Sequence, residues 1–135
     1  CKVGIGKEKT LFINGNNWPT FDGTCIRDYI HIMDLAEGHI AALDFIINEE
    51  KESFFLPINL GRGKGISILD LVSTFERVNK IKINYEFISK RDGDKDIVFA
   101  DCSKAKKILN WKPQRDLDQM CLDGWKWQIN NPKGY

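Results

Sequence analysis

The chain has 135 residues, 42% of them hydrophobic, with 20 basic and 19 acidic side chains and a formal net charge of +1. That length fits one domain with a real core, and the charge balance gives no field to draw nucleic acid or a membrane surface. No apolar run approaches the roughly 18 residues of a membrane span, and the first residues do not read as a secretory leader.

Lys2 to Lys9 is rich in Gly and Lys and reads as a loop. Leu11-Phe12-Ile13 is a strand, stopped by the turn signal Asn14-Gly15-Asn16-Asn17. Trp18-Pro19 continues irregularly, Asp22-Gly23 is a second turn, and Cys25 to Ile32 is extended. Asp34 reads as a helix N-cap with Glu37 as its capping-box partner. Leu35, Ala36, Ile40, Leu43, Ile46 and Ile47 then recur at helical spacing, giving one apolar face. A polar loop, Asn48 to Glu52, ends that helix. Phe54 to Leu60 reads as a short buried strand, with Pro57 pushing it to an edge.

The glycine-rich Gly61-Arg62-Gly63-Lys64-Gly65 follows. Ser67 caps a helix that turns Leu69, Val72, Phe75 and Val78 inward. Ile81 to Ile88 reads as a strand, and Lys90 to Asp96 as a charged loop around Gly93. Asp101 or Ser103 caps a short helix through Leu109, and Leu117 to Ile129 is the last helix. The pattern is mixed α and β, short of the alternating units of a complete nucleotide-binding sheet.

Among chemistry-bearing residues, Gly61-x-Gly63-x-Gly65 lies between a strand and a helix, but matches neither dinucleotide nor P-loop spacing. It reads either as a phosphate-binding turn or as a packing turn. Arg27-Asp28-Tyr29 and Arg91-Asp92-Gly93-Asp94 also leave two readings. Two arginines on separate loops can fork onto a diphosphate, or each can close a salt bridge with its own aspartate. His31, between Ile30 and Ile32, reads as a structural hydrogen-bonder rather than a base. The four cysteines, Cys1, Cys25, Cys102 and Cys121, form no Cys-x-x-Cys pair. They suggest neither zinc nor a disulfide framework and point to a reducing, cytoplasmic compartment.

Asp22-Gly-Thr-Cys-Ile-Arg-Asp-Tyr-Ile-His31 resembles the UDP-glucose 4-epimerase family of extended short-chain dehydrogenase/reductases. The likeness runs on through Met33 to His39, Asn59-Leu60-Gly61, Arg91-x-Gly93-Asp94, Ala100-Asp101-x-Ser103-Lys104-Ala105, Leu109-x-Trp111-x-Pro113 and Asn131-Pro132-x-Gly134-Tyr135. It implies an α/β (mixed α+β) chain, the C-terminal UDP-sugar-binding portion of such an enzyme over residues 1–135, without the N-terminal Rossmann core.

By this likeness Arg27 and Arg91 hold the diphosphate and Asp94 a ribose hydroxyl. Phe12, Ile13 and Asn14 lie along the uracil, and Tyr29 and Ile68 line the pocket. Asn14 stands where the family usually has an aromatic residue. Val98 stands where room for the sugar's 2-substituent is set, which implies tolerance of N-acetylated UDP-sugars. The intact enzyme would interconvert UDP-galactose and UDP-glucose at C4 and act as a homodimer. Its NAD would be bound by the N-terminal half, not by these residues.

No Tyr-x-x-x-Lys pair is present, since Tyr29 is followed four residues on by Met33 and Tyr85 by Ser89. The chain also opens on Cys1 without Met. The expectation is a fragment that is inactive alone, with residues 30–62 packing on the absent NAD-binding domain.

Overall fold

A computed structural model describes residues 1–49, 53 and 55–134. In chain order its elements are β1 (Leu11–Asn14), β2 (Ile26–Arg27), α1 (Ile32–Ile47), β3 (Ile66–Ser67), α2 (Ile68–Asn79), β4 (Tyr85–Ile88), β5 (Ile97–Val98), α3 (Ser103–Ile108) and α4 (Leu117–Asn130). The fold is mixed α and β, as expected.

Two small sheets carry the strands. β1 pairs in parallel with β4, Leu11 opposite Tyr85 and Asn14 opposite Ile88. β1 ends where Gly15 takes a left-handed φ of +80°, and the Gly15 N–H closes the ladder on the Ile88 carbonyl at 2.8 Å. The second sheet has the order β3-β2-β5, with β2 antiparallel to β3 and parallel to β5. Its strands are two residues long, too short for any hydrophobic periodicity to announce them.

α2 starts as its sequence dictates, with the Ser67 hydroxyl accepting the Asp70 N–H at 3.0 Å. α4 starts the same way, Asp116 accepting the Gln119 N–H at 2.9 Å. The two helices pack together through an edge-to-face pair, Phe75 and Trp125, with ring centroids 5.7 Å apart. A bidentate Arg77–Asp118 bridge closes over them at 2.6 and 2.9 Å. Val72 of α2, Cys121 of α4, Ile13 of β1 and Ile83 are buried at this centre.

α1 departs from its expected cap. His31, not Asp34, is the N-cap, its Nδ1 accepting the Met33 N–H at 3.0 Å. With Nδ1 an acceptor, Nε2 carries the hydrogen and donates to Asp123 of α4 at 3.1 Å. His31 is thus the structural hydrogen-bonder expected of it. Asp34 and Glu37 turn instead to Arg115, whose guanidinium donates to Asp34 at 2.5 Å and to Glu37 at 2.8 and 3.1 Å. The Arg115 N–H adds a second bond to Asp34 at 3.0 Å. A distant arginine outcompetes the local capping box because it brings full charge to a fully buried carboxylate.

Gly38 is the other buried position of α1. A β-carbon there would meet Leu60 at 2.9 Å and Trp111 at 3.2 Å, so glycine lets the helix settle onto both. Ile40, Leu43 and Ile47 lie on the opposite side, 58%, 58% and 78% exposed.

Two strand expectations are overturned. Residues 55–60 form no strand among the described residues, and Phe54 lies outside them. Instead Leu56, Ile58 and Leu60 line a hollow of about 230 Å³ against Phe45 and Ile46 of α1. The strand read over Ile81 to Ile88 contracts to β4, because residues 81–84 turn to meet α2, with Glu76 accepting the Ile83 N–H at 2.8 Å. Glu50 to Glu52 of the expected polar loop lie outside the described residues, as does Tyr135. No helix is long and apolar enough to cross a membrane.

Candidate functional site

The turn Asp22-Gly23 opens the site. Asp22 Oδ1 accepts both the N–H and the hydroxyl of Thr24 at 2.8 Å, and Oδ2 accepts the Ser67 hydroxyl at 2.5 Å. Burial pushes the Asp22 carboxyl up, but the bonds from Ser67 and Thr24 outweigh it and hold the group below its ordinary value. Thr24 and Ser67 have no exposed surface. This knot fastens the loop to the start of α2 and sets the direction of the extended segment after it. Along that segment side chains alternate, so Cys25, Arg27 and Tyr29 share one side.

Asp28 points the other way, into the glycine-rich turn. Its carboxylate accepts N–H groups from Arg62 at 2.9 Å, Gly63 at 3.0 Å and Ala100 at 3.2 Å. Gly63 has φ +65°, and a β-carbon on Gly61 would meet Asp28 Oδ2 at 2.5 Å. The turn is therefore a nest for a carboxylate of the chain itself. Its packing reading stands and its phosphate reading falls, since the N–H groups of Arg62 and Gly63 are already spent. For the same reason the turn does not fit the pyrophosphate of a dinucleotide.

The local salt-bridge reading fails for Arg27 and holds for Arg91, which pairs with Asp94 of its own motif. Arg27 bonds to the carbonyls of Ile26 at 2.9 Å and Asp96 at 3.5 Å, not to Asp28. Arg91 bonds to Asp94 at 2.9 Å rather than to Asp92. Arg27 approaches that same Asp94 oxygen at 3.7 Å. Two guanidinium groups thus converge on one carboxylate, leaving local positive charge. The charged loop is bent to do this by Gly93 at φ +83°, with the Asp94 N–H on the Arg91 carbonyl at 3.2 Å. Arg27 and Asp94 are largely sheltered, whereas 71% of the Arg91 side chain is exposed.

Phe12, Ile13, Asn14, Arg27, Ile68, Arg91 and Asp94 line a single cleft of about 260 Å³. Leu11, Cys25, Leu71 and Val72 complete it. One side is apolar, from β1 and the first turn of α2; the other carries the arginine pair. Val98 is not in the cleft wall. It sits opposite Arg27 in the β2–β5 register, about half exposed. Tyr29 is not in the wall either. Its phenol is half-buried near Arg27 and Cys25, and burial pushes its pKa up.

Cys25, Leu71 and Val72 escaped the sequence reading as cleft residues. Val72 was legible only as part of the inner face of a helix, and Leu71 was not read as inward-facing at all. Cys25 could have been found from its two-residue spacing to Arg27. No group of three or more His, Cys, Asp or Glu side chains among the described residues could hold a metal ion.

Residues 1–123 match the family model described as GDP-mannose 4,6 dehydratase. Over its full length the chain is 47% identical to a UDP-glucose 4-epimerase of Drosophila melanogaster and 45% identical to one of Bacillus subtilis. It spans only 38% and 39% of those two proteins. Among solved structures, 99% of the chain superposes on 39% of the UDP-glucose 4-epimerase of Bifidobacterium longum in complex with NAD+ and UDP, at TM-score 0.90 and 40% identity. A Stenotrophomonas maltophila UDP-glucose-4-epimerase, with bound NAD and formylated UDP-arabinopyranose, gives TM-score 0.90 at 39% identity. That match covers 96% of this chain and 38% of that one.

Proposed function

The chain belongs to the family described by the GDP-mannose 4,6 dehydratase model, and from that premise we propose that it is the UDP-sugar-binding portion of a UDP-glucose 4-epimerase. The observation that carries this is the cleft: seven residues drawn from four separate stretches of sequence meet around a space with an apolar side and an arginine pair. A nucleoside diphosphate has that same division between a flat base and a dianionic tail.

On this reading the sheltered Arg27, already oriented by the Ile26 and Asp96 carbonyls, forks onto the diphosphate with Arg91. Asp94 keeps lone pairs free for a ribose hydroxyl after accepting from Arg91. Phe12, Ile13 and Asn14 of β1 lie along the base, with Ile68 and Tyr29 beside it. Val98, next to Arg27 across the strand pair, faces the sugar and leaves room for an N-acetyl group.

The longer protein would interconvert UDP-galactose and UDP-glucose in the cytoplasm, as a homodimer. NAD would supply the oxidation and reduction at C4 from outside these 135 residues, and no step of that chemistry falls to residues described above. Residues 30–62 would pack on the NAD-binding part. In support, Ile40, Leu43, Ile46 and Ile47 of α1 stand more than half exposed.

Calorimetry with UDP on the wild-type chain and on Arg27→Ala tests the binding role. Losing a sheltered charged anchor costs roughly 2–5 kcal/mol of affinity. Equal affinities would make Arg27 a structural residue and end the proposal. Turnover assays test the rest. The chain alone leaves UDP-galactose unconverted, and the longer protein accepts UDP-N-acetylgalactosamine as well as UDP-galactose. Conversion by the chain alone would sink its assignment as a binding portion, and rejection of the N-acetylated sugar would sink the role of Val98.

A further inference from the structure

The cleft contains a polar group for which neither the arginine pair nor the apolar wall accounts. Asn14 ends β1 and lines the cleft next to Phe12 and Ile13. Its backbone carbonyl is engaged, accepting the Trp18 indole N–H at 3.0 Å. Its side-chain amide has no hydrogen-bond partner among the described residues. A part-exposed amide with both its donor and its acceptor unpaired within the described residues is available to a ligand.

Its setting narrows that ligand. A primary amide presents one donor and one acceptor side by side. That pair complements a planar edge carrying an acceptor next to a donor, as the N3–H and O4 of uracil do. Cytosine offers the same pair reversed, N3 as acceptor and the 4-amino group as donor, and a flipped amide meets it equally well. Nothing on the apolar side of the cleft other than Asn14 offers both a side-chain donor and a side-chain acceptor.

We propose that the Asn14 side-chain amide reads the hydrogen-bonding edge of the pyrimidine base in this cleft, making base recognition here a matter of paired polar contacts. The inference rests on the nucleotide-binding reading above and deepens it. A site built to bond a polar edge discriminates through the bonds it would leave unmade. The residue is therefore a specificity determinant as well as an affinity contact.

The test is calorimetric titration of the chain with UDP, CDP and inorganic pyrophosphate. Asn14→Leu keeps the branched outline of the side chain and removes both polar groups. It weakens UDP and CDP about tenfold, on the scale of one or two neutral hydrogen bonds, and leaves pyrophosphate unchanged. Asn14→Asp keeps the shape but offers only acceptors. It lowers the ratio of UDP to CDP affinity about tenfold, because its carboxylate repels uracil O4 and accepts from the cytosine amino group.

A simple loss of fold cannot produce that change in ratio, and equal pyrophosphate binding by all three proteins confirms an intact arginine side. Unchanged UDP affinity in Asn14→Leu, or an unchanged ratio in Asn14→Asp, overturns the inference while leaving the nucleotide site in place. Failure of the wild-type chain to bind UDP or pyrophosphate overturns the site itself and the inference with it.

Discussion

In the corner built on Asp22 and Asp28 each carboxylate oxygen finds a donor within the chain, from Thr24, Ser67, Arg62, Gly63 and Ala100. Along α1, a few residues further on, the arrangement is reversed. Its buried positions are an aspartate and a glycine, while Ile40, Leu43, Ile46 and Ile47 stand more than half exposed. The corner is closed by bonds whose both ends lie in the described residues. The helix is fixed on one side by Arg115, Leu60 and Trp111, and on the other it presents the surface a core residue normally covers. Two stretches adjacent in sequence thus differ in what completes them, and each difference can be measured.

The largest effect is expected at Asp28. Replacing it with alanine strands three N–H groups that now meet a carboxylate, and hydrogen bonds to a charged acceptor are individually stronger than neutral ones. Partial exposure of Arg62 and Gly63 lets water recover some of the loss. Asp28→Ala therefore costs roughly 2–4 kcal/mol of unfolding free energy, read from denaturant midpoints at unchanged slope. UDP affinity falls too, because the turn and β5 side no longer hold Arg27 in place. A stability loss below about 0.5 kcal/mol would mean that the turn stands without the carboxylate and that the corner is not closed from within.

The corner was partly legible in the sequence, and the reason lies in range. The Ser67 cap, the Gly93 turn and the Asp22-Gly23 turn are set by neighbours a few residues away, and each is where the sequence places it. The partners of Asp28 and Asp34 lie 34 to 81 residues away. Local patterns paired Asp34 with Glu37 as a capping box and left a salt bridge with Asp28 as one of two readings for Arg27, and the structure shows neither. Resemblance grouped Phe12, Arg27, Ile68 and Arg91, which no local pattern connects, and the fold brings these four to one cleft. It did not supply Cys25, whose place follows from alternation along the extended segment.

The apolar stripe of α1 was read correctly as a stripe, yet periodicity cannot say what a face packs against. A charge placed on that face distinguishes a surface that is merely exposed from one that belongs to an interface. In the 135-residue chain, Leu43→Lys alters stability by no more than about 0.5 kcal/mol, the range for an exposed position with few contacts. Self-association measured by sedimentation velocity decreases, since the exposed apolar face of α1 is interrupted. In the longer protein, where the proposal places this face against the NAD-binding part, the same substitution buries an unpaired ammonium and costs roughly 2 kcal/mol or more. The comparison between the two proteins is the decisive quantity, because propensity and unfolded-state effects of the lysine are common to both and cancel. A loss above about 1 kcal/mol in the chain alone would show that Leu43 belongs to this chain's own core, and equal small losses in both would remove the interface from residues 30–62.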